Sequence, residues 1–453
     1  MTAALLALNS RTFSSLRRHR NYRLYFTGQI VSVTGTWMQD TALPWLILGL
    51  THSPIYVGAL VFARYAPFLA FGLFSGVAAD RFDNRRVVIA TQTVSMVVAA
   101  ALAVLAFAGV SETWPYFVLA FLGGAALVFD APNRHALTYQ LVGRNELPNA
   151  IALNSSLFNA GRVVGPAVGG VLIAVVGSGW CFAINAGSFL AVLAALLLMH
   201  VSELFPVKRS SADEKTGAAI REGLRYARRT PAVLTVLLMV TVVSATGFNF
   251  RVLLPVLTSK TLDSGAAVFG ALFACFGAGA LLGALFAAAM SRASWRALIL
   301  GAAGFSGAML LLAPVRSVAV AGALLLVIGF CFSTWTANSQ SVLQLTAPDH
   351  LRGRVLGLYL FAFAGLTPIG GLLAGWLADV GGTELAFGVA GVCGLAATAF
   401  AVSRLRAVEP PRRRAPVVAV AEEQRTLWQS DAGLHSAGSS LSRATFVPTG
   451  GVV

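Results

Sequence analysis

Six charged residues stand in stretches that are otherwise hydrocarbon-like: Asp40, Arg64, Asp130, Arg134, Arg162 and Arg251. A charge at the centre of a bilayer costs about 2.5–3.5 kcal/mol on insertion scales, so each needs a partner, water or a task. At about 1.5 Å per helical residue, Asp40 lies roughly 24 Å and Arg64 roughly 22 Å from the inner ends of their segments. Asp130 and Arg162 come out at about 15 and 18 Å. These depths predict two opposite-charge pairs, Asp40 with Arg64 and Asp130 with Arg162, while Arg134 and Arg251 have no obvious carboxylate at their level. Each pair could be a static packing bridge. The alternative is proton carriage. Desolvation raises a carboxyl pKa and a nearby guanidinium lowers it, so a carboxylate whose arginine comes and goes can load and release a proton. Asp40 and Asp130 qualify by depth; His135 and His200 lie near the inner face.

Other chemistry is poorly represented. There is no HExxH, no Ser/His/Asp set and no pair of catalytic carboxylates on one face. The lysines are Lys208, Lys215 and Lys260, and none follows a glycine, so no P-loop can hold ATP. Cys181, Cys275, Cys331 and Cys393 fall singly in apolar segments without metal-ligand spacing. We therefore expect no enzyme, no cofactor and no metal. Trp37, Asn159, Asn249, Trp335, Asn338 and Gln340 stand mid-segment and are candidates for a cavity wall, although such residues also serve as helix–helix glue.

The elements that must position these groups follow from composition. Of 453 residues, 57% are hydrophobic and 11% charged, against roughly 25% charged in a soluble domain, which makes this an integral membrane protein. Apolar runs predict twelve spanning helices, near 24–48, 55–79, 87–109, 115–139, 150–175, 180–200, 232–257, 266–290, 296–313, 318–343, 354–378 and 385–403. The net charge of +15 reflects loops rather than a nucleic-acid face. Arg81, Arg85, Arg86, Arg144, Arg292, Arg296, Arg352 and Arg354 fall in alternate loops, and the opposite loops hold only Lys260 and Arg316. By the positive-inside rule both termini are then cytoplasmic, in the cell membrane. Trp45, Trp114 and Trp180 fall near outer helix ends, as in an aromatic belt.

The chain divides into an N-terminal segment 1–23, a six-helix half 24–200, a linker 201–231, a second half 232–403 and a tail 404–453. In the linker, Ile220, Leu224 and Ala227 share a helical face, as in a helix on the cytoplasmic leaflet or a solvated connector. The Pro-, Ser- and Arg-rich tail reads as disordered. Gly58-Ala59-Leu60 recurs as Gly270-Ala271-Leu272, and Asn133, Gly165 and Gly170 match Asn338, Gly370 and Gly375 in one ungapped register. The halves thus repeat weakly. Two motifs lie where they would meet. Gly76, Asp80, Arg81, Arg85 and Arg86 form a short charged turn that could latch against a moving neighbour. Gly161, Gly165, Pro166, Gly169 and Gly170 make one helix thin and bent, and with Gly279, Gly283, Gly371 and Gly375 they predict sliding contacts between two bodies.

From Arg17 to Arg406 the chain resembles a major facilitator superfamily transporter. The stretch 76–86 is similar to the superfamily signature between spans 2 and 3, with Asp83 where glycine is usual. Residues 161–170 resemble the antiporter signature of drug–proton exporters. Arg23-Leu24-Tyr25-Phe26-Thr27-Gly28, Asp130-Ala131-Pro132-Asn133-Arg134 and Asn149-Ala150-Ile151-Ala152-Leu153-Asn154-Ser155 resemble the branch containing the enterobactin exporter. The resemblance implies two pseudo-symmetric six-helix halves, alternating access and a mid-membrane site. It further implies a monomer exporting small amphipathic molecules, such as drugs or siderophores, in exchange for protons. Uptake or uniport by the same fold is the alternative, with a receptor or enzyme further off. Asp40, beside Trp37 and Gln39 where the cavity should be, is the preferred proton carrier; Pro132 and Arg162 point to a fixed knot around Asp130.

Overall fold

A computed structural model describes residues 13–206, 216–290, 293–348 and 351–406, with side chains at all of these except 73–74, 76–80, 216–220 and 406. The described residues are helical, apart from short connections, and contain no strand. In hydrocarbon every backbone donor and acceptor needs an internal partner, and a helix supplies them within one segment.

Helix α1 covers Arg20–Thr51 and stops where His52 turns left-handed (φ 54). Helix α2 (Pro54–Arg81) is followed after two residues by α3 (Asn84–Phe107). Asp83 caps α3, its carboxylate accepting the Arg86 backbone N–H at 3.1 Å. Its φ of −69° explains why aspartate can replace glycine in this turn: no left-handed residue is required.

The helix Trp114–Val176 is 63 residues long but contains Gly143 at φ 67, ψ −178. A residue with a side chain rarely adopts that backbone, and glycine does so at little cost. It divides α4 (114–142) from α5 (144–176), and α6 follows at Ser178–Leu197. Helix α7 (Pro231–Thr261) is broken at Phe248–Asn249 and ends in a π turn, Leu257–Thr261. Then come α8 (Ala266–Ala289), α9 (Trp295–Leu312) and α10 (Val318–Thr346). Helix α11 starts at Arg352 and has a π turn at Phe361–Gly365; Gly381 and Gly382 (φ 68) separate it from α12, which runs to Arg406.

Nine helices among the described residues are long and apolar enough to cross a bilayer. Two of them are divided by Gly143 and by Gly381–Gly382, and α1 is comparably long but more polar, so the set fits the twelve-helix arrangement expected. Large apolar side chains such as Val104, Val175 and Leu300 face outward, as a hydrocarbon solvent demands.

We refer to the end carrying the start of α1 as the terminal end and to its opposite as the far end. Within the first half, α1 packs on α6 and α4 on α2; within the second, α8 and α9 pack on α10. Between the halves, α5 meets α8 and α2 meets α11. These crossings are equivalent under the internal repeat. A Cβ at Gly170 would lie 2.7 Å from the Gly270 Cα, and one at Gly375 3.1 Å from the Gly58 Cα. Trp45 is not a belt residue: it stacks on Phe269 of α8 with ring centroids 5.2 Å apart. Trp114 and Trp180 are exposed.

At the terminal end the short helix Ser14–Arg18 is clasped to the start of α5. The Ser15 hydroxyl donates to Asn149 at 2.7 Å, and Ser14 and Arg18 both hold Glu146. The helix Thr216–Arg229 packs on α11, where Gly223 faces Arg354, and on the start of α7; Tyr226 donates to the Thr346 carbonyl of α10 at 3.1 Å and Glu222 pairs with Arg354. Of the face shared by Leu224 and Ala227, Ala227 is buried against the protein and Leu224 is 39% exposed.

Candidate functional site

Asp40 lies between two arginines, one from each half. Its carboxylate is 3.0 Å from Arg64 of α2 and, through its other oxygen, accepts from Arg251 of α7 at 3.1 Å. The Arg64 pair matches the depth argument. Arg251, expected to have no carboxylate, is a correction, and it turns a within-half pair into a bridge across the halves. All three side chains are mostly buried. The local sequence makes room for them. Gly123 and Gly124 of α4 let Arg64 pass, since a Cβ at Gly123 would lie 3.1 Å from its guanidinium nitrogen. The Phe248–Asn249 break releases the α7 turn from which Arg251 projects.

Trp37, one turn before Asp40, is 7% exposed and has guanidinium groups against its ring. Arg162 and Arg251 each lie 5.5 Å from the Trp37 ring centroid; Arg162 is also 5.5 Å from Phe158, and Arg251 is 5.7 Å from Tyr65. Between these groups is a chamber of about 30 Å³ walled by Trp37, Arg162, Phe248, Phe250, Arg251, Phe273 and Phe276. Such a volume admits about one water-sized group. It sits between α1 and α5 on one side and α7 and α8 on the other. A second cavity, about 610 Å³, opens at the terminal end between α8 and α10, lined by Ala284, Ala288, Ala337, Asn338, Ser341 and neighbouring residues.

Asp130 belongs to a different structure. The expected pair with Arg162 does not form. Instead Arg134, one turn along α4, donates through Nε to Asp130 at 2.8 Å. The other Asp130 oxygen accepts from Thr91 and Gln92 of α3, both at 2.9 Å, and Arg134 donates onward to Gln29 of α1 at 2.7 Å. Every partner is in the first half. The knot is saturated and local, and i,i+4 geometry made Arg134 the nearer cation from the start. Arg162 pairs with no carboxylate among the described residues.

The antiporter-like motif is also reassigned. Gly161 and Gly165 seat Trp37 and neighbouring α1 residues of the same half, and Gly169 lies against Met38. Gly170 alone of these glycines meets the other half, beside Pro166, whose carbonyl faces Gly270. Gly279 and Gly283 pack against α10 in their own half, whereas Gly371 and Gly375 do face α2. In the charged turn, Arg85 donates to the Leu196 carbonyl at 2.9 Å, Arg86 is 3.8 Å from Asp83, and Arg81 is exposed. Gly76 falls within α2, and the Asp80 side chain lies outside the described residues.

The cavity-wall candidates separate in the same way. Trp37 lines the chamber. Asn249 is at the α7 break, with its amide donating to Ala245 at 2.9 Å. Trp335 is fully buried on Phe305, inside the second half. Asn338 accepts from the Ser294 backbone at 3.0 Å and lines the larger cavity. Gln340 is partly buried on α10, and Asn159 donates to its own helix at 2.9 Å. The depth comparison between sequential helices missed Arg251 and Tyr65. A search across the repeat would have found Arg251, which lies roughly 28 Å along α7, within a turn of Asp40's level.

The family described as transmembrane secretion effector matches residues 10–424. The multidrug efflux pump Tap of Mycolicibacterium fortuitum is 33% identical over 362 residues, covering 78% of this chain and 88% of its own length. Enterobactin exporter EntS of Salmonella typhimurium is 26% identical over 370 residues, covering 80% and 87%. A POT family transporter solved with 5-aminolevulinic acid superposes with a TM-score of 0.71 at 13% identity, covering 86% of this chain and 97% of that one, which speaks to fold alone.

Proposed function

The chain belongs to the transmembrane secretion effector family of the major facilitator superfamily, and from that premise we propose that it exports small amphipathic molecules from the cytoplasm in exchange for protons. It is a multi-pass membrane transporter related to efflux pumps. Direction, coupling ion and orientation are our reading. The arginine-rich loops support a cytoplasmic terminal end. The far end would then face outward, and inter-half contacts cluster there: Gly170 on Gly270, Gly58 on Gly375, and the Ser53 hydroxyl on Asp379 at 2.9 Å. Such contacts suit a conformation closed to the outside and accessible from the cytoplasm.

The observation that carries the proposal is the Asp40 bridge. A single carboxylate holds a cation of its own half and a cation of the other. Protonation removes the charge that attracts both guanidiniums, so Asp40 would let go of Arg251 while Arg64 stays beside it on the same body. A proton arriving from outside and released inside would then be exchanged against substrate, each step biasing which side is open. The Asp130 knot has no partner across the halves and would be structural.

The test uses purified protein in liposomes with an imposed pH gradient. Uphill movement of an amphipathic drug or of a catecholate siderophore is expected, opposite to the proton flux and abolished when the gradient collapses. Flux that runs with the proton, or ignores it, favours uptake or uniport.

A further inference from the structure

The chamber wall holds two guanidiniums, Arg162 and Arg251, and no carboxylate; behind Arg251 stand Asp40 and its second partner Arg64. Asp40 is shared by Arg64 and Arg251, which leaves Arg162 as the cation that no carboxylate among the described residues approaches. Arg162 is held by rings, 5.5 Å from both Trp37 and Phe158, and it lines the chamber. A ring face attracts a cation, but it supplies no acceptor in the plane of the guanidinium fork. A guanidinium that lines a chamber and has no acceptor among the described residues is poised for an anion. The buried Arg251 Nε likewise has no acceptor.

We infer that this chamber takes the acidic group of an organic anion, with Arg162 as the residue that binds its charge and Trp37 and the phenylalanines of α7 and α8 as the wall for its apolar body. This names a substrate class for the export site, and it rests on that reading. Phe248, Phe250, Phe273 and Phe276 leave no carboxylate in the wall to receive a cation. A cationic substrate would meet two surplus positive charges there and be repelled. The 30 Å³ of the closed chamber has room for about one water-sized group, so the acidic group is seated only as the halves begin to separate. The rest of the molecule enters as the halves part.

The placement also explains how an anion and a proton can alternate. Arg162 and Arg251 flank the same Trp37 ring. A carboxylate or sulfonate bound beside it competes with Asp40 for Arg251, and a proton on Asp40 weakens the same contact. Either ligand opens the one bridge, so each can drive a crossing that the empty, unprotonated site resists.

The test is binding to the full-length purified protein by calorimetry, at fixed ionic strength, with three probes of one shape: 1-naphthalenesulfonate, 1-naphthalenemethanol and 1-naphthylmethylammonium. The sulfonate should bind at least about tenfold tighter than the other two. Arg162→Gln should lose about that factor for the sulfonate alone, and Arg162→Lys should recover part of it. Equal or tighter binding of the ammonium probe overturns the inference, as does no sulfonate binding, or unchanged sulfonate binding by a folded Arg162→Gln protein. Should Arg162→Gln fail to fold, the wild-type order of the three probes still decides. Anion selectivity without gradient-driven flux retains this inference and removes proton exchange. Proton-driven flux of the ammonium probe does the opposite.

Discussion

At the scale of single residues, the two membrane aspartates differ by whom they hold. Asp130 is tied to Thr91, Gln92 and Arg134 within one half. Asp130→Asn would leave Arg134 without its counter-charge in a mostly buried position. Removing one member of a buried pair costs 3–5 kcal/mol, and the one-third exposure of Arg134 brings the expected loss to about 2–3 kcal/mol. The variant should melt earlier in detergent, while the fraction that folds transports normally. A variant of unchanged melting temperature that fails to transport would reverse these roles. Depth along a helix made both aspartates visible in the sequence, since a charge in an apolar run stands out. Their partners were less legible: azimuth around the helix decides a contact, and depth alone does not report it. Asp40 thus acquired Arg251, and Arg162 proved to face aromatic rings rather than Asp130.

Among elements, glycines decide which helices touch. A Cβ at Gly270 would lie 2.7 Å from the Gly170 Cα, and backbone on both helices cannot yield as a side chain can. Gly270→Val should therefore hold α5 and α8 apart at the far end. Disulfide formation between Ser53→Cys and Asp379→Cys, introduced in a cysteine-free background, reports this separation, because the two side chains meet at 2.9 Å. The rate should fall several-fold, and an unchanged rate would mean that the crossing is not a closure contact.

A second prediction at this scale concerns the terminal clasp. The Ser14 hydroxyl, followed by Arg18 and Ser15, holds the Glu146 carboxyl below the usual carboxylate range. A depressed acid stabilises the clasp above its unfolded pKa and loses that contribution as pH falls through the folded value. Amide exchange of residues 14–18, corrected for intrinsic rates, should accelerate in that acidic window and be insensitive to it in Glu146→Gln. The apolar runs located every span to within several residues, and the linker helix showed in its periodicity. The π turns and the α7 break left no such trace, because their backbone hydrogen bonds answer to packing from neighbouring helices. Gly-rich faces were legible as faces but not as to owner: Gly161 and Gly165 serve α1 of their own half, and Gly170 serves the other.

For the whole molecule, the internal repeat is what makes two equivalent crossings, α5 on α8 and α2 on α11, and the Asp40 bridge is what breaks the symmetry between the halves. The weak sequence repeat relates the two crossings, as Gly58 and Gly270 occupy matching positions and so do Gly170 and Gly375. It gave no sign of the bridge, which has no counterpart among the described residues of the second half. A proton on Asp40 should free Arg251 and let the far end open. The direct measurement is the distance between spin labels on Tyr56→Cys of α2 and Val380→Cys at the end of α11, both outward-facing positions, in a cysteine-free background. In otherwise unaltered protein the distance distribution should shift to longer values on acidification. With Asp40→Asn it should be long at every pH and insensitive to acid. A pH-dependent shift that survives in Asp40→Asn, or a wild-type distribution that acid leaves unmoved, would contradict the account.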